Sequence, residues 1–394
     1  MIQQRNIVII GSSIAGISAA EAARKQDPLT LITVVSRDLY PPYYRMRISE
    51  VIDDPSAVDE LVMHPPEWYT ERQISLVPGV EVTRIDPERH EIYLADGQTM
   101  PYTALIIATG SQSFVPPIRG IGRPGVYTLW TLSDALRIEQ ALRLAKNALV
   151  IGGGMLGLEG AHSTRQRGIP TTIVEKAPRL LANQLDEKGS AIFTSRVKNL
   201  DITVMANTDI TSIEGATDDD SSPVARVRFA NGSILETDFI LISIGVHAQT
   251  EIAQRAGITC GRRILTDETM QTSAADIFAA GDVAEPNEFW FGLWSSSRLQ
   301  GQVAGTNAAG GTATFELTIP PYLINTMETK IAVQGEKGLQ VDPQYTFDVL
   351  IDEKNGNYRK LVYRDGVLRG FILVGNTLEF TNLRKAIGEP KKIS

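Results

Sequence analysis

The chain has 394 residues, a net charge of −8 and a single cysteine, Cys260. That length suits two or three domains with sizeable cores, and the acidic balance speaks against nucleic acid as a partner. One cysteine excludes an internal disulfide framework, no apolar run reaches the roughly 18 residues of a membrane span, and the start lacks a basic leader, so a cytoplasmic protein is expected.

In chain order, Ile7-Val8-Ile9-Ile10 reads as a buried parallel strand. Gly11 permits a tight turn and Gly16 a close helix–strand approach, which places backbone N–H groups where a pyrophosphate can sit. Ser13 stands where the middle glycine of G-x-G-x-x-G belongs; its small side chain hinders phosphate without excluding it. A helix follows from Ile17 to Gln26, ended by Asp27-Pro28, and then a strand from Leu29 to Val35. A ribose-binding acid is expected next. Ser36 takes that position and Asp38 lies two residues on, and the choice between them stays open. Arg45 and Arg47, in the loop Tyr40–Glu50, either pair with pyrophosphate oxygens or are solvated.

Trp68-Tyr69 suggests a cap on the core. Val82 to Leu94 alternates and closes at Asp96-Gly97, a hairpin signal. Leu105 to Ala108 is another buried strand, and Thr109-Gly110 at its end lets backbone meet a cofactor. Pro116-Pro117 and Gly120–Gly125 form a linker into a second domain. That domain opens with Ala148–Ile151 and an unbroken G-x-G-x-x-G built on Gly152, Gly154 and Gly157, with Leu156 inside the loop. Glu159 lies one turn into the following helix. The strand Thr171–Val174 ends in Glu175, whose carboxylate suits a ribose and repels a 2′-phosphate. NADH is therefore expected over NADPH, with Lys176 opposing.

Arg179 to Asp186 leads into another helix. Alternation from Asp201 to Val227 surrounds Thr217–Ser222, expected as a solvated acidic turn, and Asn231-Gly232 marks a hairpin. Phe239 to Ile244 is a buried strand ending at Gly245. A further apolar strand from Asp276 ends in Gly281-Asp282, whose carboxylate can accept hydrogen bonds from a polyol. Trp294 and Ser295–Ser297 are expected to precede a helix through Asn307, the serines capping its N–H groups. Strands Tyr345–Ile351, Tyr358–Arg364 and Val367–Val374, with Asp365-Gly366 as a turn and a helix from Leu378 to Ile387, make a small α+β domain. His64, His90, His162 and His247 are scattered, so no metal site is expected.

Gly11–Gly16, Ala108-Thr109-Gly110, Gly152–Gly157, Glu175 and Gly281-Asp282, in this order and spacing, resemble the two-dinucleotide-domain FAD/NAD reductases over essentially the whole chain. Within that superfamily, Tyr43–Glu50, Arg179-Leu180-Leu181 with Gln184-Leu185-Asp186, and the short C-terminal domain are similar to NADH:rubredoxin oxidoreductases, and to the FAD module of assimilatory nitrite reductases. The resemblance implies an α/β fold with two Rossmann-like domains of glutathione-reductase type and a small C-terminal α+β domain. Residues 1–112 and 242–312 would bind FAD, 113–241 NAD, and 313–394 would form the C-terminal domain.

The resemblance also implies roles. Gly11, Ser13 and Gly16 would hold the FAD pyrophosphate, with Thr109 and Gly110 beside it. Asp282 would bind the ribityl chain, and the helix starting near Ser296 would stabilise negative charge on the flavin. Glu159 would lie near the nicotinamide, and Trp294 either beside the flavin or in the core. Glu50 stands where ferredoxin-reductase relatives carry a lysine, which favours the rubredoxin-type branch. NADH would pass a hydride to flavin, and electrons would leave singly to a small carrier such as rubredoxin or ferredoxin. An electron-transfer subunit of a nitrite or nitrate reductase and a flavin-containing redox sensor are the alternatives, as monomer or homodimer. The disulfide-reducing branches need cysteines that the Tyr40–Glu50 loop and the first helix lack. Arg384-Lys385 and Lys391-Lys392 offer either a basic patch for the carrier or a solvated tail.

Overall fold

The computed structural model describes residues 4–290, 292–316, 321–339 and 343–391. Internal contacts divide the chain into two units. The first comprises Met1–Ile48, Ser56–Gln112 and Val246–Thr318, and the second Ser49–Pro55, Ser113–Gly245 and Ile319–Ser394.

The first unit is built on a parallel sheet in the order Ile277–Ala279, Ala104–Ile107, Asn6–Ile10, Leu31–Ser36, Ile74–Pro78. The Ile7–Ile10 strand is central and buried on both faces, which is why it reads as an unbroken apolar run. The neighbouring strand begins at Leu31 instead of Leu29, because the Asp27 carboxylate accepts the Leu29 N–H at 3.0 Å and turns the chain first. Such side-chain capture of backbone is how aspartate breaks regular structure. The helix Ile14–Gln26 packs against the helix Trp294–Ala308. A Cβ on Gly301 or Gly305 would lie 2.2 or 2.0 Å from the carbonyl oxygens of Ala15 and Ala19. Only glycine lets these two helices meet. An antiparallel meander, Val82–Asp86, Glu91–Leu94 and Thr99–Pro101, carries the Asp96-Gly97 turn.

Two expectations are corrected here. The serines do not cap the helix at Trp294: its N-cap is Leu293, which has no acceptor side chain, and Ser295–Ser297 lie inside the first turn. The apolar strand before Gly245 also stops early. It is Phe239–Ile242, and Ile244 is already exposed.

The second unit holds a parallel sheet in the order Ile202–Met205, Thr171–Val174, Ala148–Ile151, Phe239–Ile242, Val126–Thr128. The acidic turn 217–222 is not simply solvated. Buried Arg123 donates to the Asp219 carbonyl at 2.5 Å and to the Ser222 carbonyl at 3.1 Å, and pairs with Asp220 at 3.1 Å. The same unit contains an antiparallel sheet in the order Tyr322–Thr326, Thr329–Gly335, Val367–Val374, Asn357–Arg364, Tyr345–Asp352, with the helix Phe380–Ala386 on one face. Its first two strands were not anticipated. Among the described residues, no helix is long and apolar enough to cross a membrane.

Candidate dinucleotide sites

In the first unit, the strand Asn6–Ile10 feeds Gly11, held at φ +113. A Cβ there would fall 2.2 Å from the Ala108 carbonyl oxygen, and one on Gly16 would fall 1.9 Å from that of Gly11. Both positions admit only glycine. Ser13 is the N-cap of the helix Ile14–Gln26 in extended conformation, and its hydroxyl makes no capping bond. The first-turn N–H groups thus remain directed out of the helix, the arrangement that receives a phosphate. Ser12 donates to the Ser36 hydroxyl at 2.9 Å, so Ser36 lies against the loop. Asp38 instead accepts the Tyr43 hydroxyl at 2.9 Å.

Thr109 donates to the Gln249 carbonyl at 3.0 Å, and the Gln249 amide returns a bond to the Thr109 carbonyl at 3.0 Å. Gly110 sits at φ +68 with open space around its missing Cβ. The Gly281 N–H donates to Gln300 Oε1 at 2.8 Å. Asp282 accepts the Ser111 hydroxyl at 3.3 Å, and Arg263 donates to its backbone carbonyl at 3.0 Å. Burial pushes the Asp282 carboxyl up, against the opposing pull of Ser111, Arg263, Trp290 and Arg45. Arg263 stacks on Trp290, 3.6 Å from the ring centroid. Arg45 thus acts on Asp282, whereas Arg47 reaches the Glu60 carbonyl at 3.3 Å. Trp294 lies 6.2 Å from Tyr44, ring to ring, and its buried Nε1–H has no acceptor among the described residues.

In the second unit, Gly152 sits at φ +112, and its Cβ would fall 2.1 Å from the Ser243 carbonyl oxygen; a Cβ on Gly157 would lie 2.2 Å from that of Gly152. Gly154 differs. A Cβ there would meet nothing within 4 Å, so the space above it is a cradle that glycine keeps open. Leu156 is half-buried in the first turn of the helix Met155–Gln166. The Glu175 carboxylate accepts the N–H groups of Gly153 at 2.7 Å and Ala177 at 2.6 Å. Lys176 pairs at 3.0 Å with Asp209, both exposed. Glu159 accepts the Ser49 hydroxyl at 3.1 Å; burial pushes its carboxyl up, and the Glu50 charge adds to that.

The lone Cys260 donates to the Ile258 carbonyl at 3.4 Å, and burial pushes its thiol up, away from the thiolate that disulfide chemistry needs. His64 stacks on Trp68 at 3.9 Å and His90 on Tyr102 at 5.4 Å, while His247 bonds Gln112 at 2.6 Å. Sequence reasoning missed Ser111, Arg263 and Trp290, which surround Asp282. They come from three separate segments, and no local spacing signals them.

The pyridine nucleotide-disulphide oxidoreductase family model matches residues 5–311. The chain is 28% identical to the assimilatory nitrate reductase electron transfer subunit of Bacillus subtilis, over all of this chain but 50% of that protein. It therefore spans about half the length of that curated relative. It is also 28% identical to the NADH-rubredoxin oxidoreductase of Clostridium acetobutylicum, covering 98% of this chain and 95% of the other. The crystal structure of NADH:rubredoxin oxidoreductase from that organism superposes with a TM-score of 0.83 at 27% identity, covering 99% and 96% of the two chains.

Proposed function

The chain belongs to the pyridine nucleotide-disulphide oxidoreductase family, and from that premise we propose that it is an NADH-dependent FAD oxidoreductase passing electrons to a small carrier protein of the rubredoxin or ferredoxin kind. The observation that carries this reading is a pair of glycine cradles, one in each unit, in a chain whose single cysteine is half-buried. Two cradles suit two dinucleotides. One thiol rules out a redox-active cysteine pair within the chain.

FAD is assigned to residues 1–112 and 242–312, NAD to 113–241, and the C-terminal α+β part to 313–394. Gly11, Ser13 and Gly16 hold the FAD pyrophosphate on backbone N–H groups, with Arg45 and Arg47 supplying positive charge. Ser36 faces the ribose, Thr109 and Gly110 admit the cofactor's approach, and Gly281 and Asp282 receive the ribityl hydroxyls. The orphaned Trp294 indole N–H and the desolvated Asp282 carboxyl are groups that a bound flavin nucleotide satisfies. Gly152, Gly154, Leu156 and Gly157 cradle the NADH pyrophosphate, Glu175 takes the adenosine ribose, and Glu159 flanks the nicotinamide. FAD bound there would supply a two-electron acceptor for NADH and a one-electron donor for the carrier.

A second reading, an electron-transfer subunit of a nitrate or nitrite reductase, is favoured by the relative of twice this length. We place the protein in the cytoplasm as a monomer or homodimer. Side-by-side NADH-dependent reduction of rubredoxin, ferredoxin and nitrite-reductase partners separates the two readings: rapid turnover with a free carrier supports the first, and turnover only with a reductase partner the second.

A further inference from the structure

The loop Arg179–Asp186 touches the second glycine cradle at one end and the C-terminal sheet at the other, all within the second unit. At the cradle, the Leu181 N–H donates to the Gly153 carbonyl at 3.0 Å, and Leu180 Cδ2 lies 2.4 Å from where a Cβ on Gly153 would sit. Leu181 is held at φ 49, a left-handed backbone that leucine keeps only where its surroundings over-determine it. Leu180, Leu181 and Leu185 are buried. Arg179 braces the loop by donating to the Leu185 carbonyl at 3.1 Å, and Ser190 donates to the Leu180 carbonyl at 2.7 Å.

At the sheet, Asp186 does two things at once. Its Oδ1 caps the helix Glu187–Asn199 by accepting the Gly189 N–H at 2.9 Å, while Oδ2 accepts the Tyr358 hydroxyl at 2.7 Å and the Lys360 ammonium at 3.0 Å. Tyr358 and Lys360 are 1% and 4% exposed. Lys360 also donates to the Gly338 carbonyl at 2.9 Å, and Lys337 donates to the Asn183 carbonyl at 2.5 Å. Burial pushes the Asp186 carboxyl up, but the bonds from Tyr358, the Gly189 N–H and Lys360 outweigh it and hold the group below the usual carboxylate range. A buried pair of this kind contributes little net stability; its consequence is one fixed arrangement, lost when either partner is removed.

We infer that Tyr358 and Lys360 are positioning residues for pyridine-nucleotide binding. Through Asp186 and the loop it ends, the C-terminal sheet sets where Gly153 stands, and the Gly153 N–H in turn orients the Glu175 carboxylate. The inference rests on placing NADH at Gly152–Gly157.

The test uses the full-length, FAD-loaded protein and NAD⁺ as the probe in titration calorimetry, with KM and kcat for NADH measured alongside. In the double variant Tyr358→Phe with Lys360→Met, the NAD⁺ Kd and the NADH KM rise about tenfold, equivalent to about 1.4 kcal/mol, while kcat at saturating NADH stays within about twofold. FAD content is unchanged, and Lys360→Arg brings Kd back to within about twofold of the parent. A purely structural role predicts the reverse pattern: lowered Tm and FAD content with an unaltered Kd in the folded fraction. That result overturns the inference. If the double variant does not fold, Tyr358→Phe alone decides, since it removes one hydroxyl and keeps the ring; Kd rises about threefold, and an unchanged value rejects the tether. Gly154→Val reports separately on the site. Retained NAD⁺ binding in Gly154→Val rejects the placement of NADH itself. Lost binding there, with none of the expected weakening in Tyr358→Phe, rejects only the tether.

Discussion

The Glu175 carboxylate accepts the backbone N–H of Gly153 at 2.7 Å, so the acid at the end of one strand is oriented by the glycine loop at the end of its neighbour. In the proposed site it would face an adenosine ribose and repel a 2′-phosphate. Lys176 does not offset it, because its ammonium turns 3.0 Å from Asp209. NADH is therefore preferred over NADPH, and Glu175→Ala narrows the gap. The ratio of kcat/KM for the two coenzymes measures this; equal values in the parent protein contradict it.

Asp282 gives a prediction with opposite signs for folding and for cofactor retention. Its carboxyl is raised by burial, so the fold penalises the charged form more than the unfolded chain does. The cost of keeping the charged form folded is absent below the ordinary value of about 3.9 and grows as pH rises through the raised value. Asp282→Asn accordingly raises the Tm of the apoprotein at neutral pH, with the difference closing as pH falls below about 3.9. The same variant retains less FAD after gel filtration. A Tm difference that widens on acidification counts against the argument.

The glycines divide into two kinds. Gly152→Ala puts a Cβ 2.1 Å from the Ser243 carbonyl oxygen at φ +112, and the backbone strain alone costs about 1–3 kcal/mol. Gly154→Val places its side chain in open space. It keeps the Tm of the parent and loses nucleotide binding. Thermal unfolding beside NAD⁺ titration distinguishes the two, and a large Tm loss in Gly154→Val speaks against an open cradle.

Much of this was legible in the sequence because glycine, apolar runs and strand-end acids report on local backbone. The parallel strands around Gly11 and Gly152 are buried on both faces, so they read as unbroken apolar segments. What escaped was non-local or lacked a turn signature. The hairpin between Tyr322–Thr326 and Thr329–Gly335 turns on Met327-Glu328 at φ 51 and 52, a conformation usually marked by Asn-Gly. Arg123 and the acidic turn it clasps lie far apart in the chain, as do Ser111, Arg263 and Asp282. The helix at Trp294 lacks the serine cap its sequence suggested, because the serines fall inside its first turn, past the N-cap Leu293.

Carrier docking is tested at the end of the chain. Arg384 and Lys385 are exposed in the last turn of the helix Phe380–Ala386; of the pair beyond, Lys391 reaches the Tyr363 ring at 5.1 Å and Lys392 lies outside the described residues. On a chain of net charge −8, a local basic patch is what attracts an acidic carrier. Arg384→Glu with Lys385→Glu slows carrier reduction at low salt and leaves flavin reduction by NADH intact. The defect shrinks as salt is raised. Unchanged half-reactions at low salt place the docking surface elsewhere.

Electron flow from NADH through FAD to a carrier protein is read directly by an anaerobic titration. The FAD-loaded protein is titrated with NADH while its visible flavin absorbance is followed, and oxidised rubredoxin is then added. The expected result is bleaching by about one NADH per flavin and recovery of the absorbance as rubredoxin is reduced. Flavin absorbance that persists through excess NADH contradicts it.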